Sequence, residues 1–405
     1  MISPELARQT MLDRARPLPA APVALREALG LTLAADVLPL DDQPPFDNSA
    51  MDGYAVRAAD VAGAAREQPI ALTVVETIPA GSWPARIIGA GQAAKIMTGA
   101  PLPEGADAVV RVEDTDTAAP QVRLFHEPAL GENIRRRGED LRRGQPALRA
   151  GQRLTPARVG LCAAAGCAAV FVHRRPRIGV VVTGEELVEP GEPLPPGKIR
   201  NSNSYALHAQ ILETGGEPVH YGIAPDERRA TAALLRRALG ECDIVLTSGG
   251  VSAGDFDVVK DALADAGGAI FFTRVAQRPG APLVGGAAGE TLFYGLPGNP
   301  VSVMVCFEMY VRPAIRRLLG RQNLWRPRLT GCFEEPFRKP AGLTFWARVI
   351  VRRDGDRVAL TPSAPQGSGV LRSMALGDGL AELPPEMTVA GPGDPLTVHL
   401  FDNDD

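Results

Sequence analysis

Residues 243–254 read DIVLTSGGVSAG, an apolar run of strand length followed at once by a loop rich in glycine and serine. The same order returns at Ile178–Val182, which leads into residues 183–186, and at Leu292–Tyr294, which leads into residues 295–302. Segments with helical spacing of apolar residues separate these runs. Strands that alternate with helices predict a largely parallel, doubly wound sheet with helices on both faces. The centre of the chain is therefore predicted to be an α/β domain.

The two flanks of this domain have different patterns. Helix signals occur at Ser3–Arg16, with Ser3 as N-cap, and at Val23–Leu29, before Gly30. From Tyr54 to Asp140, short apolar pieces separated by glycine and proline indicate a β-rich module. After Pro327 the pattern is β again. Within the α/β domain, the predicted helices begin at Ser202 and at Asp226 and cover Phe256–Ala266 and Pro300–Leu319.

The composition excludes several classes of protein. The chain has 405 residues, 45% of them hydrophobic, which is typical of a globular protein with several domains. A net charge of −4 and an aromatic content of 5% disfavour nucleic acid as a partner. No apolar run is long enough to span a bilayer, so we expect a cytoplasmic protein without a membrane segment. The five cysteines form no CxxC, and we expect buried thiols rather than zinc ligands.

The loops after the three strands combine glycine with carboxylates. In an open α/β sheet such loops share the carboxyl edge, where ligands bind. Glycine permits close approach of the backbone, and free N–H groups at the start of a helix attract anions, so the loops predict an oxyanion site. Oxygen ligands beside an anion point to Mg²⁺. The candidate carboxylates are Glu185, Glu186, Asp226, Asp255 and Asp257.

Simpler interpretations of the same residues remain open at this stage. The three loops could be ordinary tight turns, and Asp226 could serve only as a helix N-cap. The run Arg135–Arg137 could bind phosphate or could be a solvated loop.

Six strings spread in order along the chain resemble the molybdopterin molybdenumtransferase family, which includes bacterial MoeA and the E domain of gephyrin. They are FDNSAMDGYAV (46–56), IMTGAPLP (96–103), NIRRRGED (133–140), VTGEEL (182–187), SGGVSAG (248–254) and GLPGNPVS (295–302). The C-terminal QGSG at 366–369 is also similar to the family.

The resemblance implies a four-part fold. Residues 1–50 and 141–176 would form a discontinuous helical linker and dimerisation region, and residues 51–140 an inserted β-rich domain. A molybdopterin-binding α/β domain would cover 177–325, and a small C-terminal β-barrel 326–405. The resemblance also implies an elongated homodimer whose active site lies between the α/β domain of one subunit and the N-terminal region of the other.

The reaction that the resemblance implies starts from adenylylated molybdopterin and molybdate. The bond between AMP and the pterin phosphate breaks, molybdenum enters the pterin dithiolene, and Mg²⁺ takes part. A molybdopterin adenylyltransferase and cofactor-maturation proteins are the pathway partners that such a reaction implies. Molybdate and tungstate are not distinguished by the sequence.

The family's site residues are carried over motif by motif. The implied catalytic carboxylates are Asp52, Asp140, Glu186, Asp226 and Asp257, of which Glu186, Asp226 and Asp257 would bind the metal. The implied substrate-binding residues are Thr98, Thr183, Gly184, Ser248, Gly249, Gly250, Ser252, Arg274, Arg278, Pro297, Gly298, Asn299, Pro300 and Ser368.

One segment departs from the family pattern. The family commonly has Lys-Pro-Gly-Lys-Pro where this chain has RPGAP at 278–282, so a lysine charge is absent at Ala281. Arginine is a planar fork rather than a point charge, and Arg278 is therefore not equivalent to lysine. Two alternative functions follow from the same residues, a molybdopterin adenylyltransferase and a non-catalytic pterin-binding scaffold.

Overall fold

The computed structural model describes residues 1–224, 228–249, 261, 263–355 and 357–401. Its helices are α1 (Pro4–Leu12), α2 (Pro156–Ala164), α3 (Asn203–Thr214), α4 (Arg228–Glu241), α5 (Pro300–Cys306), α6 (Arg312–Leu318) and α7 (Arg372–Ala375). A π-helical turn, Phe307–Val311, joins α5 to α6, and short 3₁₀ turns cover Leu25–Glu27, Ala58–Val61 and Val112–Asp114.

The strands are numbered in chain order. They are β1 (Ala20–Ala24), β2 (Thr32–Leu33), β3 (Asn48–Ser49), β4 (Gly53–Val56), β5 (Ile70–Ile78), β6 (Gln92–Ile96), β7 (Ala108–Arg111), β8 (Gln121–Leu124), β9 (Ile134–Arg135), β10 (Ala169–His173), β11 (Arg177–Thr183), β12 (Leu187–Val188), β13 (Ile199–Arg200), β14 (Glu217–Ala224), β15 (Ile244–Ser248), β16 (Ala269–Phe272), β17 (Gln277–Arg278), β18 (Val284–Ala288), β19 (Thr291–Leu296), β20 (Arg328–Phe333), β21 (Phe337–Arg338), β22 (Thr344–Asp354), β23 (Arg357–Pro362), β24 (Gly379–Leu383), β25 (Val389–Ala390) and β26 (Leu396–Leu400).

The central sheet confirms the predicted α/β domain. Its order is β14-β11-β15-β19-β18-β16; the first four strands are parallel, and β18 pairs antiparallel with both of its neighbours, β19 and β16. Alternate residues of β11 enter different cores: Val180 packs with α3 and α5, and Val181 packs with α4. The strands are buried on both faces because helices cover both, as the run of apolar residues in β11 predicts.

The order of the strands indicates the edge of the sheet at which a ligand would bind. β14 lies on one side of β11, and β15 lies on the other. The connection after β11 therefore runs toward one side edge of the sheet, and the connection after β15 runs toward the other. The loops after β11 and β15 separate at this point, and such a switch point opens a crevice at the carboxyl ends of the strands.

The predicted helices of this domain differ from the structure in some details, and some of the predicted residues lie outside the described part of the chain. The segment Pro300–Leu319 is helical as predicted, but the π turn interrupts it. The proposed cap Asp226 and most of the predicted helix Phe256–Ala266 lie outside the described residues. Ser202 precedes α3 but makes no side-chain cap, and Oδ1 of Asn201 accepts the N–H of Ser204 instead.

The module after residue 50 is a β domain, as predicted. Its sheet has the order β7-β4-β6-β5-β8, and a separate pair, β3 and β9, joins the two ends of the insertion. Gly53 opens β4 where a Cβ would lie 2.0 Å from the carbonyl oxygen of Val110. Only glycine fits there, so the MDGY motif has a packing role beside any chemical one.

The C-terminal domain is a small closed β-barrel. Its strands pair around the circle in the order β22-β23-β20-β26-β24 and back to β22. β22 and β23 pair antiparallel as a hairpin. β17 of the α/β domain also pairs with β22, so Arg278 lies at the junction of the two domains.

The region that flanks the insertion contains a sheet as well as α2. The predicted helix Val23–Leu29 is wrong, because Ala20–Ala24 pairs antiparallel with Ala169–His173 and only a short 3₁₀ turn follows. α1 begins at the predicted Ser3 cap but ends at Leu12 rather than Arg16. Within the described part of the chain, no helix has the length and apolar character needed to cross a membrane.

Candidate active site

The loops after β11 and β15 touch through backbone. Gly249 has φ +83°, and a Cβ on it would lie 2.6 Å from the carbonyl oxygen of Thr183. The hydroxyl of Thr183 donates to the carbonyl of Ser248 at 3.5 Å. Both the positive φ of residue 249 and its close approach to Thr183 require glycine there. The predicted Thr183, Gly184, Ser248 and Gly249 are therefore brought together at the switch point.

The loop after β19 joins them through a residue that the sequence did not single out. Nδ2 of Asn203 donates to Oγ of Ser248 and to the carbonyl of Gly298, at 2.8 Å each. A Cβ on Gly298 would lie 3.9 Å from Cα of Gly249. Asn203 is the first residue of α3, the helix that follows β11, and a polar residue there is the signal that could have identified it.

The C-terminal barrel reaches the same helix start. The N–H of Val301 donates to the carbonyl of Ser368 at 3.1 Å, so the predicted Ser368 contacts the loop of Pro297, Gly298, Asn299 and Pro300. This bond occupies one of the free donors at the start of α5. The anion-binding capacity of that helix end is correspondingly smaller than the sequence predicted.

The segment RPGAP at 278–282, whose sequence differs from the family pattern, packs beside α5. A Cβ on Gly280, which has φ +86°, would lie 2.5 Å from Sγ of Cys306 and 3.5 Å from the carbonyl of Ser302. Arg274 and Arg278 are both exposed. The backbone thus brings the Arg278 segment to α5, and its guanidinium is open to solvent.

Glu186 is the predicted metal-binding carboxylate that the structure describes. Its side chain folds over the preceding turn, where a Cβ on Gly184 would lie 2.7 Å from Oε2 of Glu186. Asp226, Gly250, Ser252, Asp255 and Asp257 lie outside the described residues. Within residues that are described, no group of three or more His, Cys, Asp or Glu side chains is placed to hold a metal ion.

A second group of predicted residues lies in and beside the inserted domain. Oδ1 of Asp52 accepts the N–H of Thr98 at 2.7 Å and its hydroxyl at 2.8 Å. These two hydrogen bonds lower the pKa of Asp52 below its usual 3.8, so the carboxyl is ionised at neutral pH. Asp140 is exposed, and its N–H donates to the carbonyl of Gln43 at 3.0 Å.

The arginine run has a structural role. Nη1 of Arg136 pairs with Asp47 at 2.7 Å, and Nε of Arg137 pairs with Asp42 at 2.8 Å. Two of the three arginines are therefore engaged by carboxylates of the loop that leads into β3. Arg135 is exposed in β9.

The two groups are not bonded to each other in the part of the chain that the structure describes. Among the described residues, no hydrogen bond or ion pair joins the Asp52 and Asp140 region to the loops of the α/β domain. The α/β group offers backbone and amide donors for an oxyanion, and the other group offers an ionised carboxylate.

The switch-point loops, the inserted β domain and the closed barrel together define a multidomain protein of the α/β class, whose central sheet has the switch point at which such folds bind ligands. Three family models match the chain: "MoeA N-terminal region (domain I and II)" over residues 2–166, "Probable molybdopterin binding domain" over 179–317, and "MoeA C-terminal region (domain IV)" over 330–401.

Relatives match along nearly the whole chain. Molybdopterin molybdenumtransferase 2 of Mycobacterium tuberculosis is 40% identical over 93% of this chain and 94% of its own. Molybdopterin molybdenumtransferase of Bacillus subtilis is 37% identical, covering 89% and 85%. The crystal structure of the molybdopterin biosynthesis moeA protein from Pyrococcus horikoshii superposes with a TM-score of 0.83 at 30% identity, covering 99% and 100%. The chain belongs to the molybdopterin molybdenumtransferase family.

Proposed function

We propose that the protein transfers molybdenum from molybdate into adenylylated molybdopterin and releases AMP. The observation that supports this most is the convergence of three strand-end loops, tied together by Asn203, on one edge of the α/β sheet. Both substrates are oxyanions, and glycine loops with amide donors suit such groups. The family membership supplies the reaction, and nothing in the described residues favours either alternative function.

The chain's own residues would divide the work. The loops of Thr183, Ser248 and Gly249 would hold the phosphates, and exposed Arg274 and Arg278 would attract the oxyanion. The carboxylate of Asp52 would orient the water that attacks the phosphoanhydride. The bond between the AMP phosphate and the pterin phosphate then breaks, and AMP leaves.

We also assign Mg²⁺ to this site. The carboxylate of Glu186 is exposed and has no hydrogen-bond or ion-pair partner among the described residues, which fits a cation ligand of the oxygen type. Asp226 and Asp257 would complete the ligands. When bound, Mg²⁺ would neutralise charge on the phosphates.

A homodimer would unite the two groups of residues. No hydrogen bond or ion pair joins the Asp52 group to the described residues of the α/β loops, and Asp52 lies beside Met51, which is 43% exposed. In the proposed assembly, Asp52, Thr98 and Asp140 of one subunit face the α/β loops of the other. We place this reaction in the cytoplasm, between a molybdopterin adenylyltransferase and cofactor-maturation proteins.

The test is AMP release from adenylylated molybdopterin by the purified protein with Mg²⁺, with molybdate or tungstate supplied in parallel. We expect release that depends on one oxyanion, which also identifies the metal. Pyrophosphate formed from ATP and molybdopterin would indicate the adenylyltransferase. Tight substrate binding without AMP release would indicate a scaffold.

A further inference from the structure

A cavity of about 380 Å³ lies between α3 and the edge strand β14. Val180 and Val182 of β11 form its floor, and Gly222 of β14 leaves one wall open. Gly222 has φ +77°, and a Cβ on it would meet no atom within 4 Å. A largely apolar cavity of this size fits a fused aromatic ring system.

One carboxylate stands in this cavity in a fixed orientation. Oε1 of Glu189 accepts Nδ2 of Asn201 at 2.8 Å, and Oε2 accepts the hydroxyl of Tyr205 at 3.0 Å. The bond to Glu189 raises the pKa of Tyr205, so the tyrosine keeps its proton. Each carboxylate oxygen retains a second acceptor position. Two parallel acceptors are therefore available to a ligand.

A histidine pair forms the opposite side. Nδ1 of His208 and Nε2 of His220 are 2.7 Å apart, and the rings stack with centroids 5.0 Å apart and planes at 21°. Burial and the neighbouring His208 lower the pKa of His220 below its usual 6.5. A lowered pKa favours the neutral form of the His220 ring, which suits stacking against an uncharged ring.

The cavity adjoins the oxyanion loops. Val182 lines the cavity, and the next residue, Thr183, belongs to the loops. Asn203 bonds to the loops, while Tyr205 on the same turn of α3 lines the cavity. Neighbouring strands are about 4.8 Å apart, so a ring over β11 and β14 would lie about 5–10 Å from a phosphate at β15.

We propose that this cavity binds the pterin ring of the substrate and that Glu189 recognises its 2-amino-4-oxo edge. This inference rests on the proposed function. The edge presents two neighbouring N–H donors, from the amino group and the ring nitrogen, which match both carboxylate oxygens in a bidentate pair. The adenine edge places an acceptor beside its amino group, so the carboxylate repels it. Glu189 thus distinguishes the two rings of adenylylated molybdopterin.

The test uses two small probes whose binding needs no catalysis. Pterin has the 2-amino group, and pteridine-2,4-dione carries an oxygen in its place. Fluorescence titration should show that the protein prefers pterin by about tenfold or more, the discrimination expected of a hydrogen bond to a charged group. In Glu189→Gln this preference should fall to within about twofold. Tyr205→Phe should weaken it partly, because only one support of the carboxylate is lost.

Glu192→Gln is the matched control, because Glu192 is an exposed carboxylate three residues along the same loop. It should keep the full preference for pterin. Failure of the wild-type protein to bind pterin, or an unchanged preference in Glu189→Gln, would overturn the inference. Failure of the proposed function would instead show as absent AMP release by the wild-type protein, and the probe titration is unaffected by it.

Discussion

The α/β loops and the Asp52 group are built in different ways. Gly249, Gly298 and Ser248 are held by backbone contacts and by the side chain of one residue, Asn203, above a sheet that is buried on both faces. Asp52 and Thr98 are exposed side chains that bond mainly to each other. The proposed binding geometry is therefore part of the fold, whereas the proposed chemical group, the carboxylate of Asp52, can be removed without disturbing a core. Mutations in the two regions should separate stability from turnover.

The largest effect on activity is expected for Asp52→Ala. Loss of a positioned carboxylate should reduce AMP release by about 100-fold or more. The exposed position should leave thermal unfolding close to that of the wild-type protein. Glu113→Ala, an exposed carboxylate of the same domain, is the control and should keep full activity. AMP release within threefold of wild type in Asp52→Ala would remove Asp52 from the site.

The next effect distinguishes the two regions by stability. Gly249→Ala introduces a Cβ 2.6 Å from the carbonyl of Thr183 at φ +83°. We expect a loss of about 1–3 kcal/mol in free energy of unfolding and a higher KM for the substrate. The measurement is chemical denaturation combined with AMP-release kinetics.

Gly91→Ala is the matched control for that change. Gly91 has φ +72°, but its Cβ would meet no atom within 4 Å. It should lose only the conformational term, about 1 kcal/mol, without a change in KM. An equal KM for Gly249→Ala and Gly91→Ala would show that the loop contact has no part in binding.

A smaller effect concerns the pH dependence set by Thr98. Its backbone N–H and its hydroxyl hold the pKa of Asp52 below the usual 3.8, and the carboxylate form is the one that acts in the proposed reaction. Thr98→Ala removes the hydroxyl bond, so the pKa of Asp52 should rise. On acidification, the activity of this variant would then fall at a higher pH than the activity of the wild-type protein. Thr98→Ser keeps a hydroxyl and should lose activity at the same acidic pH as the wild-type protein. If Thr98→Ala also has the wild-type pH profile of AMP release, the proposed role of the hydroxyl is contradicted.

The smallest effect is expected in the segment RPGAP at 278–282, whose sequence differs from the family pattern. Ala281→Lys introduces, beside α5, the cation that the family pattern described above leads us to expect there. An added charge near the surface should lower the KM for molybdate by about two- to fivefold, and salt should reduce the difference. A steady-state titration of molybdate at two ionic strengths measures this. A KM unchanged at low salt would place Ala281 away from the oxyanion.

The sequence predicted the parts of the fold that local patterns encode. Apolar runs followed by glycine loops identified β11, β15 and β19. The predicted helix Val23–Leu29 is wrong because Val23 and Ala24 belong to β1, whose partner strand, β10, lies far away in the chain.

The same limit applies to the site. Asn203 unites two loops that are 45 and 95 residues away, and no local pattern reports such bonds. The engagement of Arg136 by Asp47 is equally distant, at 89 residues. Pairings of this kind depend on the folded topology rather than on neighbouring residues.

The proposed sharing of one active site between two chains is tested most directly with mixed dimers. Asp52→Ala and Glu186→Ala chains carrying different tags are co-expressed, and the dimer that contains one of each is purified. If each site combines Asp52 of one subunit with Glu186 of the other, one site is intact and AMP release should be about half that of wild type. Mixed dimers as inactive as both parents would show that the two carboxylates act within the same chain and would contradict the account.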